Sequence, residues 1–330
     1  LHLVVATTIV AAFIAERPSY HVRLIMSAYT ASAVIASLAG LIGYFSLLPG
    51  AFDLLTEYGR ASGTFKDPNV LGAFLVPAIV YAFNVVLTRR LSAALPWLLA
   101  LPVMIFALLL TFSRGAWINL AVSLVLYGYC TFGTARSNWQ RLKLLVCVVL
   151  AGALAAGIFA GAQSVPQIAD LLQERATLDQ SYDVGPQGRF AGHEKALDLA
   201  SRHPLGIGAG VFHQRYHHED VHEVYLSMFL NAGWLGGFAF AAMMLTTAVW
   251  GLLHLLRPTS TRHLFLIAYA AFLGNVLEGF VVDIDHWRHL YLMMAIVWGL
   301  MVSERAMAVP AMANVVPLRR RVRIRHLAHA

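Results

Sequence analysis

Long apolar stretches alternate with short polar punctuation along the whole chain. Nine such stretches can be drawn, each bounded by charged residues or by Pro and Gly: Leu1 to Ala15, Leu24 to Leu48, Val70 to Leu87, Ala94 to Phe112, Ala116 to Phe132, Leu144 to Ala162, Val224 to Leu256, Leu264 to Val282 and Leu290 to Ser303. A helix needs about twenty apolar residues to cross the hydrocarbon slab of a bilayer. The pattern therefore predicts an all-α fold, a polytopic transmembrane helical bundle of about nine spans. The first stretch is short and opens at Leu1 without an initiator Met or a basic leader, so it reads as a span cut at its start and the chain as N-terminally truncated. The expected organisation is a single membrane domain over 1–330, with a large helical loop at 163–223 between spans six and seven and a basic tail at 304–330.

Composition sharpens this picture. The chain is 59% hydrophobic and 12% charged, and its mean hydropathy of +0.66 excludes an ordinary soluble domain. Basic residues gather in alternate loops and the tail: Arg17, Arg23, Arg89, Arg90, Arg136, Arg141, Lys143, Arg257, Arg262, Arg305, Arg319, Arg320, Arg321, Arg323 and Arg325, against only Glu16 and Glu304. Because short basic loops are retained in the cytoplasm, the opposite side, which carries the 163–223 loop, is expected to be extracytoplasmic. The high pI is thus a topology signal; the basic tail suits anionic membrane lipids, and no nucleic acid is expected as a partner. Cys130 and Cys147 fall at the cytoplasmic ends of spans, where no disulfide is expected.

Candidate chemistry lies on the outer side. The loop holds Arg175, Arg189, Arg202 and Arg215 with His193, His203, His213, His217, His218 and His222, and three further clusters face it: Arg60 to Asn69, Ser113 to Trp117 and Asp283 to His289. Ionisable groups at membrane depth are costly enough to suggest function. Arg114 stands out because it lies between two apolar stretches, where a guanidinium seeks an anion such as a lipid-borne phosphate. An ion pair with Glu278 or an Asp, or snorkelling to the interface, are its other readings. Arg60, Lys66, Asn69, Arg202, Arg215, His218 and Glu223 are candidate substrate contacts.

The tract His213 to Glu223 spaces His213/His217 and His218/His222 at i,i+4, which resembles a metal site. The two pairs are out of phase, and no HExxH or Cys set accompanies them, so no metal is expected. A single histidine acting as proton acceptor is more economical. His222 is the best placed, separated by Glu223 alone from the apolar run VYLSMFL, which fixes its height at the membrane surface, whereas His213, His217 and His218 read as structural. Gly206, Gly208 and Gly210 read as a tight turn, because no strand precedes them to make a phosphate-binding fingerprint. Gly233, Gly236 and Gly237 mark a break in the seventh apolar run.

Together Gly63 to Asn69 (GTFKDPN), Ser113 to Gly115 (SRG), His203 to Phe212 (HPLGIGAGVF) and His222 to Gly237 (HEVYLSMFLNAGWLGG) resemble the recurring marks of the O-antigen ligase and polymerase superfamily. The resemblance implies a glycosyltransferase of the bacterial inner membrane with its active face in the periplasm. Its donor would be an undecaprenyl-diphosphate-linked glycan and its acceptor a hydroxyl of a glycan, of lipid A core or of another molecule, with no cofactor. By motif position it implies Arg114 as a diphosphate-holding arginine and His222 as the base. Arg189 is the implied second arginine, with Arg175, Arg202 and Arg215 competing for that role. Glu223 stands where the family often has Asn or Ser. A transporter or flippase of lipid-linked or anionic solutes, or a non-catalytic scaffold, are the readings from other classes. The absence of a visible internal repeat weighs against the transporter.

Overall fold

The computed structural model describes residues 2–135, 137–176 and 189–308. Each of the nine apolar stretches forms a helix: α1 (His2–Glu16), α2 (Pro18–Tyr44), α4 (Pro68–Thr88), α5 (Leu91–Leu110), α6 (Arg114–Thr134), α7 (Asn138–Gln163), α11 (Val224–Leu255), α12 (Arg262–Glu278) and α13 (Arg288–Ala308). Four shorter helices join them: α3 (Ala51–Leu55), α8 (Pro166–Ala176), α9 (Arg189–Arg202) and α10 (Val211–Arg215). The only strands among the described residues are the two-residue β1 (Thr56–Glu57) and β2 (Arg60–Ala61), paired antiparallel. Six helices, α2, α4, α5, α6, α7 and α11, are long and apolar enough to cross a membrane. The protein is a multi-pass helical membrane bundle.

Helix α4 runs through the middle of the bundle, its residues from Leu71 to Val85 buried almost without a break, and α12 lies beside it. Backbone hydrogen bonds have no water partner in hydrocarbon, so helices are the local solution and small polar groups tie one helix to the next. The Tyr127 hydroxyl donates to Asn84 Oδ1 (2.9 Å), joining α6 to α4. Tyr29 donates to the Phe74 carbonyl (2.7 Å), joining α2 to α4, and His289 Nε2 lies 3.2 Å from Asn275 Oδ1, joining α13 to α12. The many exposed leucines and valines of α7 and α11 are the expected lipid-facing surface.

Helix α11 is broken at Gly233 (φ 72°, ψ −175°), at the first of the three glycines that mark the break in sequence. The preceding loop turns through Gly206, Gly208 and Gly210, all at positive φ, and docks on that break. Ile207 N–H donates to the Leu230 carbonyl (2.8 Å), Gly208 N–H to Asn231 (3.2 Å) and Trp234 N–H to Pro204 (2.9 Å). The carbonyls and amides freed where α11 stops being helical are satisfied by the turn, which is why an unwound segment is tolerated here. Ala196, Ala200, Phe212, Val221 and Leu230 form a small apolar core under this loop, separate from the bundle core.

Candidate functional site

The polar clusters are carried to one end of the bundle. Helix α6 begins there with Ser113, whose hydroxyl accepts from Ala116 N–H (3.3 Å) and caps the helix. Arg114 is therefore the first residue of α6, half-buried beside the helix's positive end, where anions are favoured. The residue before the cap, Phe112, is buried in the left-handed region (φ 48°). Helix α12 ends at the same level: a Cβ on Gly115 would lie 3.0 Å from Glu278 Oε1. The next residue, Gly279, accepts from Val224 N–H (2.9 Å), the first residue of α11. His222 lies just before that junction, so α6, α12 and α11 bring Arg114 and His222 to the same end.

His222 is half-exposed, and its Nδ1 lies 3.9 Å from Asp283 Oδ2. This is an electrostatic contact, longer than a hydrogen bond. Its backbone is in the left-handed region (φ 51°), which costs a non-glycine residue free energy and is concentrated at functional sites. Asp283 follows α12; its Oδ1 is buried without a hydrogen-bond partner among the described residues. Burial pushes the Asp283 carboxyl up from the usual carboxylate range, while the Ser227 hydroxyl and His222 pull it back. A carboxyl raised in the folded state binds its proton more tightly than in the unfolded chain, so its charge is a burden that grows as pH rises through the raised value and is full above it. Asp283→Asn is therefore expected to keep or raise the melting temperature above that window, and melting curves recorded across pH check it; a lower melting temperature at every pH would instead assign the carboxylate a stabilising contact.

Arg60 is 8% exposed, its Nε donating to the Thr111 carbonyl (2.6 Å) and its Nη2 to Asn69 Oδ1 (2.8 Å). It thus ties the GTFKDPN turn to the residues that precede α6. Asn69 sits in the first turn of α4, where Asp67 Oδ1 accepts its N–H (2.7 Å). Gly63 takes φ 58° against α2, where a Cβ would lie 2.6 Å from the Ala36 carbonyl. Lys66 is exposed on this turn.

In the loop, Arg202 is exposed and pairs with Asp198 (2.8 Å) one helical turn away. Arg215 is exposed at the end of α10, and His218 lies 3.7 Å from Glu219. Glu223 is the residue before α11, its carbonyl accepting from Ser227 N–H (2.9 Å). His193 Nε2 lies 2.6 Å from the Val221 carbonyl and His213 Nδ1 2.9 Å from that of His218, while His217 is buried against Gly192 and stacks on Phe212. These three histidines hold the loop together. Among the described residues no group of three or more His, Cys, Asp or Glu is arranged to hold a metal ion. Arg189 opens α9, but its side chain and that of Arg175 lie outside the described residues.

Sequence reasoning set Asp283 in an outer cluster and offered Glu278 as an ion-pair partner of Arg114 without giving either a place among the candidate site residues, and it missed Asn119. Asp283 has a visible signal, since it opens DIDHWRH directly after an apolar stretch. Glu278 is the acid inside that stretch, and Asn119 lies one turn beyond Gly115 in α6.

The described residues thus make a multi-pass helical membrane protein with an arginine at the start of α6 and a histidine–carboxylate pair at the same end of the bundle. Residues 97–241 match the family model described as O-antigen ligase, which supports the O-antigen ligase superfamily and, with it, a membrane glycan ligase or polymerase. The matched segment runs from α5 through the break in α11 and contains both Arg114 and His222. No curated protein and no solved structure matches the chain.

Proposed function

We propose that this protein is a bacterial inner-membrane glycosyltransferase that moves a glycan from an undecaprenyl-diphosphate carrier to an acceptor hydroxyl on the periplasmic side, without a metal ion. The observation that supports it most is the His222–Asp283 pair standing at the same end of the bundle as the Arg114-bearing start of α6.

The chemistry follows from the groups. The acceptor oxygen attacks the anomeric carbon as its proton passes to His222, and the bond from that carbon to the phosphate oxygen breaks on the opposite face, inverting the configuration. With Nδ1 on the Asp283 side, the proton is taken at Nε2, and Asp283 stabilises the imidazolium that results. The leaving lipid diphosphate departs with the electron pair, and its growing charge is met by Arg114 at the α6 start and by Arg189 from the loop. Two guanidinium groups supply there the charge neutralisation that Mg²⁺ gives other diphosphate-dependent transferases. Lys66, Arg202, Arg215, His218 and Glu223 would meet the glycan or the acceptor.

Deleting the gene and resolving surface polysaccharide on a gel tests the reading. Loss of the whole ladder identifies ligation to lipid A core, loss of long chains alone identifies polymerisation, and loss of secreted polymer identifies exopolysaccharide assembly. An unchanged glycan profile overturns the proposal.

A further inference from the structure

Helices α6 and α12 meet along a strip of small and polar residues spaced four apart on each: Gly115, Asn119 and Ser123 against Ala270, Gly274 and Glu278. Asn119 Nδ2 donates to Glu278 Oε2 (2.7 Å), and the Ser123 hydroxyl lies within reach of Asn119 Oδ1 (3.2 Å) and the Ala270 carbonyl (3.1 Å). A side chain on Gly274 would collide with Asn119, so that glycine is what lets the amide reach across. Glu278 is 3% exposed, and its Oε1 faces Gly115 without a hydrogen-bond partner among the described residues. A carboxyl group this deep between two helices is costly, and leaving an oxygen unpaired adds to the cost. Helix packing alone gives no reason to keep it, since an apolar side chain would pack there without that penalty.

The strip has a direction. One end of it is Gly115, next to Arg114; the other helix ends at Glu278, next to Gly279, which accepts from Val224 N–H, and four residues further on stands Asp283 beside His222. The two halves of the proposed site thus belong to different helices, and the Asn119–Glu278 hydrogen bond joins those helices about one turn in from Arg114. We propose that the Asn119–Glu278 pair is a positioning device that fixes the register of α6 against α12 and thereby the separation of Arg114 from the His222–Asp283 pair. This rests on the site reading given above. Neither residue touches substrate; both act through the helices they join. The contact needs an acceptor for the Asn119 amide and a side chain filling the space that Gly115 leaves, and Gln meets both needs at position 278.

The test combines kinetics with a distance. In purified, reconstituted protein, Glu278→Ala is expected to lower kcat for glycan transfer by about 10²-fold with the donor KM nearly unchanged, because a displacement of about 1 Å between cooperating groups costs that much. Glu278→Gln should recover most of the rate. Gly115→Ala, which presses on the same contact from the α6 side and is gentler on folding, should lower kcat in the same manner. Spin labels at the exposed Ile118 and Phe280 report register independently of activity. Their distance distribution should shift or broaden in Glu278→Ala and return in Glu278→Gln. Wild-type kinetics and distance in both Glu278→Ala and Gly115→Ala overturn the proposal, as does a shifted distance with an unaffected rate. Should the wild-type protein make no glycan product at all, the functional reading fails, while the label distances still decide whether the pair sets the register.

Discussion

Replacing His222 by Ala is expected to cut glycan transfer by about 10²- to 10⁴-fold, the range over which a positioned general base contributes, with membrane insertion and abundance unchanged. The residue is half-exposed on a loop outside the bundle core, so its removal leaves the helix packing in place. Relief of its left-handed backbone is not expected, since Ala is no more at ease at φ 51° than His. Arg114→Ala is expected to lose about 10²- to 10³-fold, as removal of one charge-stabilising donor does, and Arg114→Lys should recover little of it because an ammonium group cannot grip a phosphate with two parallel hydrogen bonds. Both variants are checked by quantitative glycan gels normalised to protein detected in the membrane. Full activity in both would sink the assignment, since the chemistry is attributed to no other pair at this end of the bundle.

What was legible in the sequence, and what was not, follows from the range of the interactions. Each of the nine apolar stretches became a helix because that signal is local: length and composition decide it within one segment. The break at Gly233 was equally local, as was the tight turn through Gly206, Gly208 and Gly210. Helix ends moved where capping decides them. Asp67 and Ser113 cap α4 and α6 and set their starts at Pro68 and Arg114, whereas hydropathy alone drew those starts at Val70 and Ala116. Juxtapositions were less legible. His222 and Arg114 could be singled out by their height relative to apolar runs. That Asp283 stands beside His222 depends on the end of α12 meeting the start of α11, which no local pattern encodes. Arg60 is a second case: its Nε donates to the Thr111 carbonyl and its Nη2 to Asn69, a tie visible only once the turn is folded against α5.

The largest structural effect is expected at Gly233. Its φ of 72° with ψ of −175° belongs to a region open essentially to glycine alone, and a Cβ there would stand 2.5 Å from the Pro204 carbonyl oxygen and 2.6 Å from the Leu205 carbonyl carbon. Both obstacles are backbone atoms, so no rotamer change relieves the clash. Gly206 presents the reciprocal problem, its Cβ falling 2.5 Å from Gly233 N and 2.8 Å from the Asn231 carbonyl oxygen. Either Gly233→Val or Gly206→Val must push the turn off the break in α11, freeing the amides of Ile207, Gly208 and Trp234 that now bond across it. The conformational cost alone is about 1–3 kcal/mol, and three lost backbone hydrogen bonds add about 0.5–1.5 kcal/mol each. Because that turn leads through α10 directly to His222, activity is expected to vanish together with loop protection. Faster cleavage of the loop by protease, a lower melting temperature in detergent and loss of glycan product would mark the effect. Gly152→Val on α7, where a Cβ meets nothing within 4 Å, is the matched control and should behave as wild type. If Gly233→Val proved as stable and active as that control, the docking of the loop on the broken helix would have no part in holding the site.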